Sequence, residues 1–340
     1  MKLRCLIFSV CLLLLTASCG KSAPQVRSDN LNTESIRAAL VTNGEDVNDN
    51  ENDTAIWNAL VRVQDELGVV SSYVIPEETD KKGYQKAFDS CYKDEHNFIW
   101  MSETPALDEL LDSSRKHPGI GYAVVGMRNP DPDKYPNVTG VLFREPEGAF
   151  VAGYTAAAAG NSGTVGFLGG DKEDKDCLYA FKAGAALGGK EAGKGEIKVL
   201  EDTIKAGSDK AYQITSELCQ DGADVVFSMA VNADPLVLKA TSDAGAKFIS
   251  TKLYKDQPAV LMTVANRVDN VVYTVMKDYL SGKRVNNIHF GLSDGGIKLA
   301  FPADDSKLQK QAEAVRDRII SGEISVPVDK KGYNQFVDGL

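Results

Sequence analysis

Short apolar runs alternate with helix-length amphipathic segments along most of this chain, and that alternation limits the fold more than any other feature. IRAALVT (36–42), VVSSYVIP (69–76), NFIWMS (97–102), IGYAVVGM (120–127) and VTGVLFRE (138–145) each have the length and apolar density of a buried strand. Between them lie TAIWNALVRVQDELG (54–68), GYQKAFDSCYKD (83–94) and TPALDELLDSSRKHP (104–118), which read as helices. In the first of these Ile56, Leu60, Val63 and Leu67 share one face, and Asp53 or Thr54 is placed to cap it. Parallel strands need a crossover to rejoin their sheet, so this order predicts a parallel sheet covered by helices on both faces.

The pattern runs twice. PEGAFVAGYTAAAAG (146–160) is a helix with a small-residue face, and a second series then opens with GTVGFLGG (163–170). It continues through EIKVLE (196–201), ADVVFSMA (223–230) and KFISTK (247–252), with helical segments between them. The chain is longer than one hydrophobic core usually serves. The expected division is a first α/β domain over 36–160, rejoined by parts of 262–340, and a second over 161–261. Two such Rossmann-like domains side by side form a cleft at the carboxyl ends of their strands, where ligands usually bind.

The first 35 residues differ in kind. Lys2 and Arg4 precede an apolar run, CLIFSVCLLLL (5–15), that is too short to span a bilayer but suits an export signal. Thr16, Ala17 and Ser18 then lead into Cys19, small residues before a thiol that can carry diacylglycerol. Residues 1–18 therefore read as a lipoprotein signal peptide, Cys19 as the lipid anchor and 19–35 as a flexible tether. The expected address is the bacterial cell envelope, anchored outside the cytoplasm.

Net charge is −10, and losing Lys2 and Arg4 makes the remainder more acidic still. That balance argues against nucleic acid as a partner. Beyond the signal and Cys19, Cys91, Cys177 and Cys219 remain, with no CxxC spacing; three unpaired thiols are expected, with one disulfide left open. His96, His117 and His289 are scattered, so no zinc site is expected. GAALGGKE (184–191) mimics a phosphate loop, but Glu191 stands where a hydroxyl residue is required and the segment lies late in a helix. With no GxSxG, Cys/His pair or carboxylate dyad visible, the reading is of a binding protein, neither an enzyme nor dependent on a cofactor.

The most informative loop is 43–53, which follows the first strand and is built almost wholly from Asn, Asp and Glu. Such residues cap helices and also hydrogen-bond polyhydroxylated ligands, so Asn43, Asn48, Asp49, Asn52 and Asp53 are candidate ligand contacts. The loop lacks the glycine of a calcium-binding D-x-D-x-D-G run, so no metal is assigned to it.

Six stretches in order carry a family resemblance: VNDNENDTAIWNAL (47–60), GVLFREPEGAFVAGYTAA (140–157), GTVGFLGG (163–170), QDGADVVFSMA (220–230), NRVDNVVYTVMKDYLSG (266–282) and HFGLSDGGIKLA (289–300). On these the chain resembles the basic membrane protein family of substrate-binding lipoproteins, over 36–340. The resemblance implies a type I periplasmic binding protein fold, a monomer, and delivery of a purine nucleoside or related polar small molecule to an ABC permease. It also implies Phe227 as a stacking surface and sets Asn266 where the family carries a lysine; in VNADP (231–235), which stands in place of the family's glycine-rich turn, Asn232 and Asp234 are candidate polar contacts that replace a lost one. The chain departs from the family pattern at Asn52, which replaces a stacking aromatic, and at Asp53, Gly126, VNADP (231–235) and STKLYKDQ (250–257). Those departures keep open a rival role, a surface interaction or adhesion lipoprotein with a divergent cleft.

Overall fold

The computed structural model describes residues 36–340 apart from 45, 103–105, 171–173, 206–208 and 303–305. The expected signal peptide, lipid anchor at Cys19 and tether lie outside the described residues.

The first lobe begins with β1 (Arg37–Val41), α1 (Glu51–Leu67), β2 (Val70–Val74), α2 (Lys81–Lys93), β3 (Phe98–Met101), α3 (Leu107–Lys116), β4 (Gly121–Val125) and β5 (Val138–Phe143). β3 and β4 are buried at every position, as expected of central parallel strands with helices on both faces. β2 lies at the edge and is half solvated. α1 starts where Asn50 accepts hydrogen bonds from the backbone N–H groups of Asn52 and Asp53, and stops at Gly68, whose φ of 72° closes the helix.

The second lobe holds β6 (Thr164–Gly169), α5 (Lys175–Glu191), β7 (Lys198–Thr203), α6 (Ala211–Gln220), β8 (Val225–Ser228), α7 (Asp234–Asp243), β9 (Lys247–Ser250) and β10 (Val260–Asn266). The chain then returns to the first lobe for α8 (Val268–Leu280) and β11 (Asn287–Phe290), and crosses again for β12 (Ile297–Ala300), α9 (Ser306–Ile320) and α10 (Lys330–Asp338). One six-stranded sheet has the order β11-β5-β4-β3-β1-β2 and the other β12-β10-β9-β8-β6-β7. All pairings are parallel except β10 with β12. This is the predicted α/β class with two parallel-sheet lobes.

The division of the chain between lobes differs from the sequence reading in two places. Helix α4 (Glu145–Ala159) was expected with the first lobe, but its apolar surface packs against Phe181, Ala183, Phe227, Met262 and Val264 of the second. Strand β10 likewise pairs with β9, so the second lobe runs through residue 266. The crossovers therefore fall at 143–145, 266–268 and 290–297. α8 returns Val268, Val271, Val272 and Val275 to the core of the first lobe beside Ile56, Leu60 and Val63.

Arg144 ties these crossovers together. It donates to Glu147 (2.7 Å), to Asp294 (2.8 Å) and to the backbone oxygen of His289 (2.9 Å). Asp294 in turn accepts from the backbone N–H of Gly291 and Gly296, while Arg267 N–H donates to the Gly296 oxygen at 2.7 Å. Charge-assisted bonds between the first and third crossovers, and a backbone bond from the second to the third, limit how the lobes can rotate about one another.

Candidate ligand-binding cleft

Most segments that line the cleft leave the carboxyl end of a parallel strand, and Ile297 at the start of the antiparallel β12 joins them. Asp49 to Asn52 follow β1, Glu145 follows β5, and Gly170 and Asp174 follow β6. Ile204 and Lys205 follow β7, Met229 and Ala230 follow β8, Thr251 and Lys252 follow β9, and Asn266 ends β10. Strand twist and crossover handedness gather these loops at one end of each sheet, and the two ends face each other. Between them lies a cavity of about 1220 Å³.

The loop predicted from sequence is divided between two tasks. Asn43 donates its backbone N–H to Asp53 (2.7 Å) and its side-chain amide to Ser102 (2.7 Å), and Ser102 donates to the other Asp53 oxygen (2.6 Å). Asp53 is fully buried by these contacts, and burial pushes its carboxyl above the usual range against the opposing pull of the Asn43 and Ser102 hydrogen bonds. Asn48 folds back onto Asp46. Asn43, Asn48 and Asp53 thus hold the loop's shape and are absent from the described cleft lining. Asp49 and Asn52 do line it, together with Asn50 and Glu51.

On the second lobe, Asn232 and Asn266 line the cleft, and Asn266 donates to Glu145 at 2.8 Å. Phe227 reaches the lining but is only 1% exposed. Its ring stacks on Phe181 (centroids 5.6 Å apart, planes at 15°) and meets Phe167 edge-on. Its faces are committed to the core, so a ligand meets little of it. Asp234 is fully buried, accepts from Ser250 and does not line the cleft. Its expected polar contact gives way to a structural one: the Ser250 hydroxyl also accepts from the Lys252 N–H at 2.8 Å and so shapes the loop beneath the cleft.

Sequence reading missed three residues with a large part in the site. Glu145 lies inside FREPEGAF, which the sequence reading takes as the end of a strand, the start of a helix and part of a family signature, with no contact assigned to Glu145. Glu51 and Lys252 form an ion pair across the cleft, from the first turn of α1 on one lobe to the loop after β9 on the other. Both side chains are about half exposed, so solvent screens the pair and its worth is of the order of 1 kcal/mol or less. Lys252 lies in STKLYKDQ, one of the segments where the chain departs from the family pattern.

Two α/β lobes, three crossovers and an open cleft at the strand ends define a two-lobe α/β fold with an interlobe cleft. The family model for Bmp, ABC transporter substrate-binding protein PnrA-like, matches residues 36–330, and the chain belongs to that family. It is 28% identical to basic membrane protein B of Borrelia garinii subsp. bavariensis over 282 residues, 79% of this chain and 77% of that one. Basic membrane protein A1 of the same organism is 25% identical and covers 99% of each chain. Among solved structures, an ABC transporter solute-binding protein from Aeropyrum pernix K1 superimposes with a TM-score of 0.66 at 19% identity, over 89% of this chain and 96% of that one. A transcriptional activator of the comK gene from Bacillus halodurans gives 0.70 at 16% identity, over 85% and 99%. At such identities these two structures speak for the fold alone. No helix among the described residues is long and apolar enough to cross a membrane.

Proposed function

We propose that this chain is a lipid-anchored, monomeric binding protein outside the bacterial cytoplasm that captures a polar small molecule between its lobes and hands it to an ABC permease. The observation that carries the reading is the open cavity of about 1220 Å³ where the strand ends of both lobes converge. Around it the side-chain amides of Asn52 and Asn232, the Asn50 NH2 and the Asn266 side-chain oxygen can hydrogen-bond a polyhydroxylated solute. An open cleft supports capture over the surface-adhesion role, for which a cleft filled by its own side chains would be the natural form.

A purine nucleoside is the ligand that the family resemblance brings forward. Adenosine, guanosine and inosine should then each be titrated calorimetrically into the mature protein, with micromolar binding of at least one expected. Silence with all three, while mass spectrometry of the gently purified protein retains another solute, would remove the nucleoside and leave capture standing. Retention of no solute and no heat would remove capture.

The anchor has its own test. Cys19→Ser is expected to move the protein from the detergent phase to the aqueous phase on Triton X-114 partitioning. A variant that stays in the detergent phase would leave Cys19 without its assigned role.

A further inference from the structure

Two lobes joined only by crossovers can swing about them, and any bond that spans the cleft biases where they rest. The bonds of Arg144 and Arg267 lie at the crossovers themselves. Glu51 and Lys252 belong to no crossover: Glu51 opens α1 on the first lobe, and Lys252 follows β9 on the second. Their ion pair runs from one wall of the cavity to the other and is made wholly by the protein's own side chains.

Both ends of the pair are held at the backbone. Asn50 caps α1 by accepting from the N–H groups of Asn52 and Asp53, which fixes Glu51 in the first turn. The helix end there favours the ionised carboxylate. Lys252 donates its N–H to the Ser250 hydroxyl at 2.8 Å, and its carbonyl accepts from the Thr263 hydroxyl at 3.2 Å. With both backbones fixed, only the two side chains can stretch. The pair therefore survives a small swing of the lobes and breaks in a larger one. It is also weak: Lys252 is 42% exposed and Glu51 57%. An exposed pair of this kind shifts a two-state balance by at most about fivefold. That is enough to move a hinge and too little to lock it.

We propose that Glu51 and Lys252 are a latch that biases the lobes of the solute-free protein toward the closed arrangement, with a hold set by ionic strength. The latch goes beyond capture, because it concerns the resting width of the cleft before any solute arrives.

The test measures that width by double electron–electron resonance on the whole mature chain. Cys19→Ser and Cys219→Ser remove two thiols from labelling, while Cys91 and Cys177 are buried. Spin labels are carried by Thr79→Cys and Gln257→Cys, exposed positions in the loops after β2 and β9. Retained solute is first removed by unfolding in urea, gel filtration and refolding. In about 0.1 M salt the ratio of short to long distances should fall about two- to fivefold in Lys252→Ala and in Glu51→Gln. The exchanged pair, Glu51→Lys with Lys252→Glu, should recover at least half of the loss. Lys239→Ala, which breaks an exposed pair within α7, should match the unsubstituted pair. Raising salt to about 1 M should bring the unsubstituted protein to the level of the single variants. Single variants with unchanged distances, an exchanged pair that stays open, or distances in the unsubstituted protein that ignore salt would each overturn the latch. None of these measurements uses a solute, so the latch and the capture reading can fail separately.

Discussion

Replacing Gly184 with alanine is expected to lower the melting temperature by about 5 °C or more, the equivalent of roughly 3 kcal/mol or more in a protein of this size. Helices α4 and α5 meet backbone to backbone. A Cβ on Gly184 would lie 1.9 Å from the Phe150 carbonyl oxygen, and one on Gly153 would lie 2.0 Å from the Phe181 carbonyl oxygen. Neither obstacle is a side chain that can swing away, so the helices must separate. Separation would loosen Phe181 from its stack on Phe227, and Phe227 lies under the cleft. Ligand affinity should therefore fall along with stability. Gly193→Ala is the informative comparison: its φ is 69° with nothing within 4 Å, so it tests backbone strain without a clash and should cost only about 1 kcal/mol. Melting curves for the two variants decide the matter. If Gly184→Ala melts with the wild type, or no lower than Gly193→Ala, the close helix contact does not hold the second lobe together.

The same helix shows how far sequence could lead. The parallel-sheet class was legible because central strands such as β3 and β4 are buried on both faces and so appear as dense apolar runs. Helix α4 was legible as buried, since apolar and small residues surround it. Its partner was not: periodicity says which face is covered and carries no information about which sheet covers it. The loop after β1 was found for a physical reason too, because loops at strand ends face the cleft. Within it, Asn and Asp have two uses of similar energy, closing their own turn or facing a ligand. Sequence alone does not choose between them. Asp53 and Asn43 turn inward to Ser102, which follows β3, and that contact exists only once β1 and β3 are paired. Glu51 and Lys252 were invisible for the related reason that their pairing joins two lobes.

Asp234→Asn is expected to stabilise the protein at pH 8 by about 2 kcal/mol and to leave it little changed near pH 4. Asp234 opens α7 with no exposed surface, one oxygen accepting from Ser250 and the other without a partner. Burial pushes its carboxyl from the ordinary 3.8 up to about 7, with the Ser250 hydrogen bond and the Lys252 charge pulling the other way. Between those two values the unfolded chain has released this proton and the folded chain still holds it, so the folded state loses relative stability as pH rises. Below about 4 both states are protonated and above about 7 both are ionised, so the slope from this group is confined to the window between. At about 1.4 kcal/mol per pH unit the ceiling is roughly 4 kcal/mol, and water entry or relaxation around a buried carboxylate lowers it by about half. The amide removes the charge and keeps an acceptor for Ser250, at the cost of a buried N–H pair where the unpartnered oxygen stood. The gain over wild type should therefore grow from pH 4 to 7 and then level off. Urea unfolding midpoints at pH 4.5, 6 and 8 measure it directly. A difference between the two proteins that does not change with pH would mean that Asp234 ionises at its ordinary value, and that the group beneath the cleft is already charged in the folded protein.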